Sequence, residues 1–140
     1  MTYVLQEQDV QRFRKLLLDL LDRTESDDCL ICDTGGFVMA QEGGNTSQHP
    51  QISALGAGVF AASRELARII GEPEFNTVFH QGANKSIFIC AVNAEILLVT
   101  IFSSTASVGL VKLYTAPAAA ECRLIFEEIR TRGETDRLPG

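Results

Sequence analysis

Cys29 and Cys32 stand three residues apart, the spacing of a redox pair or of half a zinc site. A redox pair normally opens a helix, whose dipole lowers the thiol pKa. Here Cys29-Leu30-Ile31-Cys32 reads as a strand, in which residues three apart point to opposite faces. Cys90 and Cys122 stand alone, so there is no second half-site for a metal. The four cysteines are therefore read as small core residues. His49 sits in a polar loop and His80 at a strand end, and neither has a nucleophile or carboxylate motif beside it that would make it a general base. Asn84-Lys85-Ser86 ends like a phosphate loop, but that loop needs glycine at the positions held here by Asn84 and Phe79. No catalytic residue, metal or cofactor is expected.

What remains is a question of surfaces, and composition narrows it. Apolar residues make up 46% of the 140 and charged residues 21%, ordinary for one globular domain. The net charge of −6 argues against nucleic acid and against an anionic membrane, both of which call for a basic excess. No segment reaches the roughly 20 apolar residues needed to span a bilayer. The opening MTYVLQEQDV lacks the basic and apolar regions of a secretory signal, so a cytoplasmic location with reduced thiols is expected.

The elements follow from periodicity. Val10, Phe13, Leu16, Leu17, Leu20 and Leu21 recur at three- and four-residue steps and predict an amphipathic helix over 8–22. Apolar runs 29–33 and 37–40 around Thr34-Gly35-Gly36 predict a β-hairpin. A helix follows from Pro50 or Gln51 to Ile70, with Gly71 as its C-cap. Residues 75–80 form a short strand, and 86–92 and 96–102 form two strands apolar on both faces, which must be covered on both faces. From Ser104 the spacing of Val108, Val111, Thr115, Ala118, Cys122, Ile125 and Ile129 predicts one long helix, or two nearly collinear pieces kinked or broken near Pro117. The fold class is an α/β sandwich: a five-stranded, mainly antiparallel sheet with helices on both faces. One domain spans 1–132, and 133–140 is a polar tail expected to be disordered.

The middle helix carries the strongest functional signal. At about 100° per residue, Ile52, Leu55, Val59, Leu66, Ile69 and Ile70 fall on one side and are expected to face the sheet. The other side then holds Ser53, Ala57, Phe60, Ala61, Arg64 and Arg68. Small residues with one large aromatic and two arginines suit a protein–protein contact better than solvent. The strand of Phe75, Asn76, Thr77, Val78, Phe79 and His80, if it lies at the sheet edge, offers unpaired backbone groups to the same strand of a second copy. These twelve residues form the expected dimer and partner interface.

Those stretches resemble the Roadblock / dynein light-chain family, and in particular its bacterial MglB-like branch. The likeness runs through Cys32-Asp33-x-x-Gly36, the helix ISALGAGVFAASRELARIIGE (52–72), EFNTVFHQG (74–82), SIFICAVNAEILLVTIF (86–102) and TASVGLVKL (105–113). It implies the Roadblock-like, profilin-like sandwich and dimerisation through the middle helix and third strand. It also implies a partner, a small Ras-like GTPase of the MglA type whose GTP hydrolysis the dimer stimulates. An arginine finger is chemically open to Arg64 or Arg68, but the resemblance implies that the GTPase supplies its own catalytic residues, so both are assigned to recognition. The other reading is a structural adaptor that holds a larger assembly together. The stretch Ala116-Pro117-Ala118-Ala119-Ala120 departs from the family pattern.

Overall fold

The structure is a computed structural model and describes residues 3–136. The chain runs α1 (Glu7–Thr24), β1 (Asp28–Asp33), β2 (Val38–Gly43), a 3-10 turn (Thr46–Gln48), α2 (His49–Ile70), β3 (Thr77–Gln81), β4 (Lys85–Ala91), β5 (Ile96–Ser103) and α3 (Val108–Asp136). The sheet order is β2-β1-β5-β4-β3, and every neighbouring pair is antiparallel. β4 and β5 are internal, as their apolar runs predict, and β3 is an edge.

Alternation along the strands divides the core into two layers. Cys29, Ile31, Phe88, Cys90, Ile96 and Leu98 point toward α1 and α3, where Phe13, Leu17 and Phe126 meet them. Leu30, Cys32, Ile89, Leu97 and Val99 point the other way, toward Ala57 and Phe60 of α2. The C-x-x-C cysteines therefore lie on opposite faces of one strand, and both are buried. Burial is the leading influence on each thiol, pushing Cys29 above the usual range and Cys32 up to about 11, so thiolate chemistry is suppressed.

Two turns show why particular residues are needed. Asp33 Oδ1 accepts from the N–H groups of Gly35 (2.9 Å) and Phe37 (3.0 Å), which closes the β1–β2 hairpin. Gly36 sits at φ 91°, and a Cβ there would stand 2.8 Å from the Ala54 Cα, so the hairpin tip can touch α2 only as glycine. Gly71, at φ 78°, caps α2 as expected.

α3 is one continuous helix through Pro117. Its buried side, Val111, Thr115, Cys122, Ile125 and Ile129, keeps phase across the proline. Pro117 and Leu113, whose carbonyl loses a donor, both lie on the exposed side, where water can replace the bond. The helix also extends to Asp136, so 133–136 belong to it and not to a tail; 137–140 lie outside the described residues.

The far end of α3 is tied to α1 by a buried carboxylate. Asp9 accepts from Arg132 Nη2 (2.6 Å) and from the backbone N–H of Gln6 (2.8 Å), and is 1% exposed. Burial alone would raise its pKa, but the Arg132 hydrogen bond, the Gln6 N–H and nearby guanidinium charge together hold it below the ordinary carboxylate value. A depressed folded-state pKa contributes stability that is present above the unfolded pKa of about 3.9 and lost as pH falls through the folded value. Asp9→Asn is expected to lower stability by about 1.5–3 kcal/mol at neutral pH. That difference should shrink toward zero once the pH passes below the folded value. Urea unfolding of both proteins across an acid series checks it, and a difference that stays constant with pH would show that ionisation of Asp9 does not contribute.

Candidate interaction surface

α2 packs with the opposite face from the one its aliphatic residues predict. Ser53, Ala57 and Phe60, expected to face outward, are buried against the sheet together with Gly56 and Ala67. Leu55, Leu66, Ile69 and Ile70, expected to face the sheet, are 73%, 58%, 66% and 68% exposed. Ile52 and Val59 are half-buried on the flank between the two sides.

The reason is close approach. Gly56 leaves only van der Waals room for a Cβ beside Ile89 Cδ1, at 3.7 Å. Ser53 Oγ donates to the Gly36 carbonyl at 2.6 Å, joining the helix to the hairpin tip. Small residues thus let the helix backbone settle onto its own sheet, and Phe60 fills the remaining space. The small side chains do mark a backbone approach, but within the subunit.

Of the other expected interface residues on α2, Ala61, Arg64 and Arg68 are exposed. Arg64 lies over the Phe60 ring, its carbon 5.0 Å from the centroid, and donates through Nη2 to the Ala94 carbonyl at 2.9 Å. It ties the end of α2 to the β4–β5 turn. Arg68 pairs with Glu65 one turn away. Arg68 is thus neutralised, while Arg64 is held in place without a carboxylate partner among the described residues.

β3 borders the sheet beyond β4, so one side of its backbone ladder has no strand beside it among the described residues. Thr77 and His80 are exposed, Val78 and Phe79 half-buried. Phe75 is half-buried and Asn76 exposed; both precede the strand, which begins at Thr77, although the Asn76 carbonyl still accepts from the Ala91 N–H at 2.8 Å. Phe79 stacks on Phe102 at 6.1 Å on the α3 side, while Val78 faces the α2 layer. The aliphatic side of α2 and the open edge of β3 are the two unsatisfied surfaces on this part of the molecule.

His49 is not a loop residue. It opens α2, is 0% exposed, and bonds Asp28 Oδ1 through Nε2 (2.9 Å) and Gln41 Oε1 through Nδ1 (2.8 Å). Asp28 Oδ1 also accepts the Asn45 N–H at 2.9 Å. The cluster anchors the start of α2 to β1 and β2, a positioning role that the flanking polar sequence concealed. Among the described residues no group of His, Cys, Asp and Glu could hold a metal ion, and no helix is long and apolar enough to cross a membrane.

Comparison with known proteins agrees with this architecture. Three solved structures align at 30% identity: an MglB with tetrameric arrangement (91% of this chain and 97% of that one, TM-score 0.85), Myxococcus xanthus MglB (90% and 96%, 0.83) and the gliding protein MglB of Thermus thermophilus (91% and 97%, 0.83). A profilin II of Acanthamoeba castellanii shares the fold alone, at 11% identity over 81% of this chain and 94% of that one, TM-score 0.56. An uncharacterized protein of Aquifex aeolicus (strain VF5) is 22% identical over 92% of this chain and 82% of its own length. Residues 13–102, from α1 to the end of β5, match the Roadblock/LC7 domain, and the chain belongs to that family.

Proposed function

We propose that this chain works as a homodimer that binds a small Ras-like GTPase of the MglA type and stimulates its GTP hydrolysis. The observation that carries the reading is the exposed aliphatic side of α2. Four large apolar side chains standing mostly in water along one helix exceed what isolated surface leucines explain, and such a face marks a partner site. The neighbouring β3 edge lets a second copy extend the sheet while its α2 covers part of that stripe. The likeness to MglB proteins at 30% identity supports the choice of partner.

In this reading Leu55, Leu66, Ile69 and Ile70 take the role first assigned to Ser53, Ala57 and Phe60. Ala61, Arg64 and Arg68, exposed on the flank of α2 away from the stripe, form the outer margin of the contact, and Phe75–His80 form the strand-side contact. The dimer acts by ordering the GTPase's own catalytic groups. Mixing the purified chain with an MglA-type GTPase is expected to raise the single-turnover hydrolysis rate and to give a complex on gel filtration. A complex with an unchanged rate would make the chain a structural adaptor, and no complex would remove the reading altogether.

A further inference from the structure

The other side of the sheet carries a second apolar stripe. Along α3, Leu110, Leu113, Pro117, Ala120 and Leu124 follow alternating three- and four-residue steps, which places them on one line. All five are exposed, Leu113 by 63% and Leu124 by 65%. They lie opposite the residues that α3 gives to the core. The stripe is four turns long and interrupted by no charge. Beside it, toward α1, a cleft of about 590 Å3 is lined by Arg12, Lys15, Asp19 and Arg23 of α1 and by Tyr114 and Glu121 of α3.

The charges bordering the stripe indicate what it takes. Arg12 is neutralised by Glu128 at 2.5 Å and Arg23 by Asp19 at 2.9 Å. Glu127, a turn beyond Leu124, shares Arg130 with Glu134. Lys15 on the cleft side, and Lys112 and Arg123 on the far flank, have no carboxylate partner among the described residues. Against these three cations stand Glu121 and the one negative charge left where Glu127 and Glu134 share Arg130, so the border keeps a net positive charge. Lys112 lies over the Phe79 ring and Arg123 Nε donates to the Val92 carbonyl, so both heads are held in place with their charge unmatched. In a chain of net charge −6 this is a local basic border around an apolar line.

We propose that this face of α3 seats an amphipathic helix from another protein, apolar along its contact line and acidic along its flanks. Helix-in-groove docking uses this spacing of anchors, and opposite charge along the rim sets orientation. A second copy fits less well, because two such stripes packed antiparallel about a two-fold axis set each cationic flank against itself. The stripe lies on the opposite face of the sheet from α2 and meets the proposed dimer only where Lys112 lies over Phe79 of β3.

The test uses a fluorescein-labelled helical peptide of about 21 residues with leucines at alternating three- and four-residue steps and glutamates on both flanks. A second peptide carries lysines in place of the glutamates. Anisotropy titration against the full chain is expected to show the glutamate peptide binding at least about tenfold more tightly than the lysine peptide. It should also bind at least about tenfold more tightly to wild type than to Leu113→Glu/Leu124→Glu. Because both leucines already stand in water, the variant should keep its circular dichroism and its melting temperature. Three results would each overturn the proposal: no binding of the glutamate peptide, equal binding by the variant, or equal binding of the two peptides. Cosedimentation with phosphatidylserine vesicles that the variant loses would assign the stripe to a membrane, and a smaller native mass for the variant would assign it to a second copy.

Discussion

Phe60→Ala is expected to destabilise the protein by about 3–5 kcal/mol, and by the same amount at every protein concentration. Phe60 is 2% exposed and packs against Leu30, Cys32, Ile89, Leu97 and Val99, the half of the core that α2 closes. Removing its ring leaves a cavity that the small neighbours Gly56 and Ala57 cannot fill. The alternative is that Phe60 anchors a partner, in which case truncation would spare the isolated subunit and weaken association. Urea unfolding of wild type and variant at two widely separated concentrations distinguishes these. A cost under about 1 kcal/mol would be that of a surface substitution and would return Phe60 to the interface. Arg64, stacked on the same ring and bonded to the Ala94 carbonyl, should lose its fixed position in the variant.

The misplacement of Phe60 shows which part of a sequence is legible. The hairpins follow from apolar runs around turns, and the two-sided burial of β5 from an unbroken apolar run, because a strand has two faces and the residue types on each are visible directly. Cys29 and Cys32 were readable for that reason: spacing alone sends them to opposite layers. α2 has no such contrast. Its sheet side is Ser53, Gly56, Ala57, Phe60 and Ala67, and its outer side is Leu55, Leu66, Ile69 and Ile70, so the larger apolar area faces outward. A rule that sends large aliphatics inward selects the wrong side whenever a partner covers the helix. The available signal was the clustering of the smallest residues on the side of the single aromatic, which marks a helix lying close to a sheet. His49 was hidden differently: its partners Asp28 and Gln41 lie 21 and 8 residues away, and only the folded hairpin brings them to the start of α2.

Pro117 teaches the complementary lesson. A proline in a helix interior removes one hydrogen bond and strains the preceding turn, at about 3 kcal/mol or more in the general case. α3 absorbs it because the proline lies on the exposed side while the buried residues before and after it stay in phase. Phase, more than the breaker residue, decided continuity here.

Leu66→Glu/Ile69→Glu is expected to convert a dimer to a folded monomer. If each side chain gives about 2 kcal/mol on burial at a subunit contact, the two-fold dimer loses both from each subunit, about 8 kcal/mol, and weakens roughly a millionfold. Charge placed within an apolar contact weakens it further. The subunit itself should lose little, because these side chains are already 58% and 66% exposed and no core residue rests on them. Light scattering after gel filtration reads the mass, and circular dichroism reads the fold. Binding and stimulation of an MglA-type GTPase should fall with the dimer, since the proposed partner face spans two α2 helices. Substituting Ala61→Glu offers a finer cut: it is exposed on the flank of α2 away from the stripe, where a charge can disturb a client's docking with less effect on the twin subunit. A wild-type protein that is monomeric at high concentration, or a double variant that stays dimeric, would mean that the apolar side of α2 is covered by something other than a copy of itself. In the second case the open β3 edge carries self-association without α2, and substitutions in Thr77–Gln81, not in the stripe, would then separate the subunits.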